Sequence, residues 1–448
     1  MLKQALVFGS LSLGILFLCG FPGFETACLA QGSVNPDQPQ PQAPAIYSKG
    51  EVTLPPAEEE EARRCLESTC RNAPLREKLT AISLGGTKYV RGIFGGFEQG
   101  AGLGGGVQLS SADAIPSLKL RATALTSSRL YRRIDLEGYV PNIHGSRNHA
   151  DVWFSYMRRE SDFFGIGSRI PADLKTNFAI EQRSYQGSLY HDFANHFQGG
   201  VYAGLTNSHS SRGKDNTNTP IGESFSSTPD QPVARWIPGF LSNTKILSYG
   251  AFLAYDTRDN TAGLTRGVNI YGRAASDDGL DNHAAFADYG WIEGEFDVRG
   301  YAPLGSSRTS LALRSRGQFK KPKGGSQIPF YDLSWLGGRE YVRGYETYRF
   351  RGNNVLLFST ELRQTVYSKT DHRGVDLFGF ADTGQVWGDA RSLTDPLIRE
   401  NQDFRSGNWH SGVGGGLQYR HSSTLAARLE VGRSNEGARI YMSMSRGF

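Results

Sequence analysis

The sequence predicts an all-β protein, a transmembrane antiparallel β-barrel of about sixteen strands with a short N-terminal helical and linker segment. Three observations lead there. Gly accounts for 55 of 448 residues, about 12 % against roughly 7 % in average usage, and aromatic residues make up 11 %. No run after residue 30 approaches the ~18 consecutive apolar residues that a spanning helix needs. From residue 83 onward, apolar and polar residues alternate with the period of a strand. In lipid, only helices and closed sheets satisfy every backbone group, so a chain without spanning helices crosses as a barrel.

Residues 1–30 read as a cleaved signal peptide. Lys3 supplies the positive region, residues 5–18 the apolar stretch, and Cys28-Leu29-Ala30 the small-residue cleavage site. Residues 31–82 read as a periplasmic linker and short helix. The first part is rich in Pro, Gln and Ser without periodicity. Pro55 and Pro56 mark a helix start, and Glu59 with Arg63 and Glu60 with Arg64 are four-apart charge pairs. Cys65 and Cys70 fall in this segment, as a local disulfide or as two free thiols; a spacing of five puts them on different faces of a regular helix.

Residues 83–448 read as the outer-membrane β-barrel. The alternation is cleanest where Ile292, Phe296 and Val298 share one face and Glu293, Glu295, Asp297 and Arg299 share the other. Four ionisable groups on one strand face fit a water-filled lumen, with the apolar face toward lipid. At ~10 residues per membrane strand, plus turns and loops, these 366 residues hold about sixteen strands. The polar stretches 210–239 and 275–289 read as breaks between strands.

Several function classes find no support. The net charge of +5 is spread along the chain without a basic arm for nucleic acid. Residues 100–105 match GxGxxG, but nothing after them reads as a helix, so no nucleotide or other cofactor is expected. His191 and His196 are five apart, off one strand face and without metal-site company, so no metal is expected. No GxSxG elbow occurs, and no catalytic residues are expected.

The C-terminal half carries an ordered set of signatures. Residues 255–260 read Tyr-Asp-Thr-Arg-Asp-Asn, 336–345 Leu-Gly-Gly-Arg-Glu-Tyr-Val-Arg-Gly-Tyr, 382–387 Asp-Thr-Gly-Gln-Val-Trp and 412–416 Gly-Val-Gly-Gly-Gly, and the chain ends on Phe448. In this order and spacing the chain resembles the BamA/TamA outer-membrane assembly superfamily, over about residues 83–448. The resemblance implies that Asp256, Arg258 and Asp259, with Arg266-Gly267, mark a turn and strand entry; Leu264 stands where proline is usual. It also implies that Arg343, with Gly344 and Tyr345, lies on a loop folded into the lumen and is clamped by Glu361 and Asp382, beside Gly384. The alternative reading keeps these charges as ordinary lumen-wall pairs. Phe448 resembles the terminal strand signal of outer-membrane proteins, although Arg446 replaces the usual apolar residue.

The glycine-rich segment 94–107, including Gly102, Gly104, Gly105 and Gly106, reads as one weak strand. It either meets the last strand at a labile seam ending on Phe448 or makes a tight bend at a barrel corner. The expectation is a barrel in the outer membrane of a Gram-negative bacterium, not an enzyme. It would contact outer-membrane lipid and assist insertion of client outer-membrane polypeptides through the labile seam and the Arg343 loop. Residues 31–82 are too few for one complete POTRA domain, the client-receiving module of established members, so the further expectation is either a separate periplasmic partner or a short helix that occupies the pore as a plug. Polypeptide translocation and passive conduction are the alternative functions of the same barrel.

Overall fold

The computed structural model describes residues 81–445, except 87–88, 96–103, 112–117, 130, 215–217, 227–234, 259–265, 281–287, 306–307, 370–372, 389–403 and 421–425. The expected leader, the linker through residue 80 with Cys65 and Cys70, and also Gly102, Asp259 and Phe448 lie outside the described residues.

Seventeen long strands follow one another up and down. They are β1 (Ala81–Gly86), β2 (Val90–Gly95), β3 (Gly104–Ser110), β4 (Lys119–Ser127), β5 (Arg132–Val140), β6 (Asn148–Phe163), β7 (Thr176–Ala194), β8 (Phe197–Arg212) and β9 (Asn243–Asp256). The series continues with β10 (Gly267–Gly279), β11 (Gly290–Pro303), β12 (Thr309–Pro322), β13 (Asn354–Ser368), β14 (Gly374–Trp387), β15 (His410–Arg420), β16 (Ala426–Ser434) and β17 (Gly437–Ser445). With the two-residue Thr219–Pro220 they make one 18-stranded sheet, against the sixteen or so expected. The sheet curls until β17 comes within 8 Å of β1 between Cα atoms, with no ladder between the two among the described residues.

Burial is inverted relative to a water-soluble protein. On β11, Glu293 is 5 % exposed while Ile292 beside it is 56 % exposed. Arg133, Asp135, Arg273, Glu361, Asp376 and Arg420 are likewise buried, whereas Leu189, Val201, Leu253, Leu362, Val413 and Ile440 face outward. An exposed apolar belt of this extent belongs against hydrocarbon. No described helix is long and apolar enough to cross a membrane; crossing is by strands.

The connections divide by rim. One rim carries the tight turn between β7 and β8 and the short connections β11–β12 and β13–β14. The other carries the long ones, including 213–242 and 323–353. Strands β6 and β7 have 16 and 19 residues; at ~3.4 Å per residue they outreach a hydrocarbon core of ~30 Å. The long-loop rim is capped by packed apolar side chains, including Phe163, Phe178, Ile221, Phe225, Phe330 and Tyr331. Phe330 stands edge-on to Phe163 at 5.0 Å and to Phe178 at 4.8 Å.

Several boundaries differ from expectation. β1 opens at Ala81, within the expected linker, and β8 runs to Arg212, past the expected break at residue 210. The polar run expected to break the chain from residue 275 is still strand as far as Gly279, because Ser276, Asp277 and Asp278 continue the β10 ladder with β11. The glycine-rich segment 94–107 is not one strand. Gly95 closes β2, Gly105 lies opposite Phe94 on β3, and the two strands run antiparallel. Gly104, Gly105 and Gly106 are therefore paired to β4 on one side, and Gly105 and Gly106 to β2 on the other, two strands away from the sheet edge. Small residues suit that place: a Cβ on Gly106 would lie 1.8 Å from the Ala124 carbonyl oxygen.

Candidate functional site

The segment 323–353 between β12 and β13 does not stay at the rim. It folds inward and crosses the lumen. On one side Arg343 reaches β13, β14 and β16; on the other, Tyr348 accepts a 2.7 Å hydrogen bond from Arg159 Nη1 on β6. Leu336, Tyr341, Val342, Tyr345 and Phe350 pack with Val355, Leu357 and Val386 of the wall. An internal two-stranded ladder, Ser334–Leu336 with Phe350–Gly352, holds the base of the loop.

At its tip, Arg343 is 3 % exposed. Its Nε and Nη2 donate to the two carboxylate oxygens of Asp382 at 2.7 Å each. Nη1 donates to Glu361 at 3.1 Å and to Glu430 at 3.0 Å, and the Arg343 backbone N–H donates to Asp382 at 3.1 Å. The guanidinium stacks over the Phe380 ring, 3.4 Å from its centroid. A planar fork with five donors suits this bidentate grip where an ammonium would not. Burial works against the charge, yet Asp382, Glu361 and Glu430 outweigh it and hold the guanidinium above its ordinary range. Further cations line the cluster. Arg363 donates to Glu361 at 2.6 Å and Arg428 to Glu361 at 2.9 Å, and Arg339 lies 3.9 Å from Glu430, so each carboxylate of the cluster has a guanidinium beside it.

The rest of the tip is stitched to the last hairpin. The Gly344 N–H donates to Tyr441 Oη at 2.7 Å, and that hydroxyl donates to the Tyr345 carbonyl at 3.1 Å. Tyr345 Oη donates to Asn435 at 2.6 Å. Arg349 pairs with Glu436 and Glu346 with Arg439. Gly344 has φ +104°, and a Cβ there would sit 2.7 Å from the Arg433 carbonyl carbon; both facts require glycine. On the wall, Gly412 lies where the loop backbone presses closest, and a Cβ would sit 1.8 Å from the Arg343 carbonyl oxygen.

The structure thus brings together Arg343, Gly344, Tyr345, Glu361 and Asp382, with Gly384 nearby where Leu336 of the loop meets the wall. Asp256 and Arg258 stand apart at the short-turn rim, joined to each other by contacts of 2.9 and 2.7 Å. Sequence reasoning missed Glu430, Arg428 and Tyr441, and singled out Gly412 only as part of the 412–416 signature, not as a contact of the loop. For Glu430 a signal was present: Arg428 and Glu430 share one face of β16 by alternation, as Glu361 and Arg363 do on β13.

The Omp85 superfamily domain matches residues 118–441. A search of curated protein sequences returns no match. Among solved structures, BamA from Haemophilus ducreyi lacking POTRA domains 1–3 superposes with a TM-score of 0.57 at 15 % identity, over 82 % of this chain and 70 % of that one. CdiB from Escherichia coli superposes with a TM-score of 0.52 at 14 % identity, over 80 % of this chain and 62 % of that one. At these identities the likeness is one of fold.

Proposed function

This chain belongs to the Omp85 superfamily, and on that premise we propose that it is an outer-membrane barrel that assists insertion of outer-membrane polypeptides. One observation carries the reading. The loop tip is bonded to the last hairpin, β16–β17, through Glu430, Tyr441, Asn435 and Glu436, while the outer edge of β17 has no ladder among the described residues. A strand edge with unpaired backbone groups recruits another strand by main-chain pairing. Fastening the edge hairpin to a loop that crosses the lumen keeps that edge in place while the neighbouring strand separates. The lipid partner is the belt around the outward Leu, Ile and Val side chains; the protein partners are client polypeptides or a periplasmic factor that delivers them.

Free conduction fits less well, because the loop crosses the lumen and Phe330 and its neighbours fill one mouth. In planar bilayers the intact barrel is expected to conduct weakly. Opening the apolar constriction with Phe330→Ala is expected to raise the current by about twofold or more. The deciding experiment is depletion of the protein followed by a census of the outer membrane. The levels of at least some other barrels are expected to fall. An unchanged census ends the insertion reading, and loss of a secreted polypeptide alone replaces it with translocation.

A further inference from the structure

Every ladder from β1 through β17 is antiparallel. An odd number of strands joined this way leaves the first and last pointing in the same direction. Closure between β1 and β17 would therefore be a parallel pair, the only one between long strands of this sheet, with slanted and slightly weaker hydrogen bonding. The geometry agrees: the two strands come within 8 Å, yet no ladder joins them among the described residues. Without β1 the count is even. Strands β2 and β17 then run antiparallel and meet the ordinary condition for a closed barrel.

β1 is also the least firmly held strand. It has six residues and a register break between Ser83 and Gly85. Three of its five pairs contain glycine: Ala81 with Gly95, Gly85 with Gly92, and Gly86 with Arg91. Glycine offers no cross-strand side-chain contact and weakens a strand interior. Among the described residues its ladder is on one side only.

We infer that β1 is a removable edge cap, a segment of this chain that occupies the β2 edge and must leave before β2 can pair with β17 or with an incoming strand. The last of these roles rests on the insertion reading above; the competition between β1 and β17 for the β2 edge does not. The cap keeps a strand edge from pairing indiscriminately while the barrel is idle, a hazard that edges otherwise present.

The test uses two sets of cysteine pairs in the full chain with Cys65 and Cys70 changed to Ser. The first set joins Val90→Cys or Gly92→Cys to Ile440→Cys or Met442→Cys and reads apposition of β2 and β17 as disulfide yield. Yield is expected to be low in the intact strand and to rise by about fivefold or more once β1 is deleted, because an antiparallel closure replaces a parallel one. In a full-length chain, one of Ile82→Pro and Ser83→Pro is expected to give the same rise, since consecutive N–H groups point to opposite edges and proline at the position facing β2 removes a ladder donor. The second set, Ile82→Cys with Phe94→Cys, locks β1 onto β2 at a directly paired position. The lock is expected to slow client insertion, with recovery on reduction. Unchanged disulfide yield in the deletion and proline variants overturns the cap. A locked barrel that inserts clients at the unlocked rate overturns its role in insertion. An unchanged outer-membrane census would sink the insertion reading alone, because the disulfide yields involve no client.

Discussion

Arg343→Ala is expected to lower the unfolding free energy of the barrel by about 3–5 kcal/mol, the usual cost of removing one partner from a buried ion pair. The loss comes from what remains. Asp382, Glu361 and Glu430 stay buried without the guanidinium that joins them, with Arg363 and Arg428 left on Glu361 and Arg428 on Glu430. The Phe380 ring also loses the cation it faces at 3.4 Å. Arg343→Lys restores the charge without the fork, so one of the two Asp382 contacts goes unmade and its cost falls between wild type and Arg343→Ala. Urea unfolding of the detergent-solubilised barrel, or its heat-modifiable migration in gels, measures both. Arg343→Ala within about 0.5 kcal/mol of wild type, the range of an ordinary surface change, would show that the loop is held without the guanidinium. A companion substitution separates two fastenings of the loop tip. Tyr441→Phe removes the hydroxyl that accepts from Gly344 and donates to Tyr345 but leaves the ion cluster intact, and is expected to cost about 1 kcal/mol.

What the sequence disclosed follows from which patterns are local. Strand alternation is a two-residue pattern, so the β11 faces and the lumen position of Glu361 on β13 were legible without tertiary knowledge. The parity of the barrel was not. A strand of six residues with two glycines, such as β1, carries too few side chains to show a period, and the segment 94–107 read as one weak strand because glycine recurs through it and no proline divides it. The loop tip was legible only through resemblance, since nothing local in residues 336–345 says that a guanidinium ends beside Asp382. Glu430 was hidden by distance, 87 residues from Arg343, and by attention to the segments that carry the resemblance rather than to the plain alternation of β16. Gly412 was seen as part of a glycine run. Its reason lies in a backbone approach from another part of the chain, which no one-dimensional pattern records.

That approach gives the second large effect. Gly412→Ala is expected to unseat the loop although every charged residue is retained. The added Cβ would lie 1.8 Å from the Arg343 carbonyl oxygen, far inside van der Waals contact. Neither partner yields easily. Gly412 is fixed by its pairing with Asp382 on β14, and the Arg343 backbone is fixed by its own N–H bond to Asp382. Overpacking of this kind costs about 1–3 kcal/mol or more, and here the cheapest relief is to withdraw the loop tip, which forfeits the Arg343 contacts as well. Gly412→Ala and Arg343→Ala then damage one structure, so the double variant is expected to cost little more than the worse single, in contrast to the additivity of distant sites. Gly294→Ala on β11 is the control, because a Cβ there meets nothing within 4 Å, and its effect should stay within about 0.5 kcal/mol. Urea midpoints of the four proteins decide the matter. Full additivity of Gly412→Ala with Arg343→Ala would mean that the wall glycine and the guanidinium do not act on the same seating of the loop.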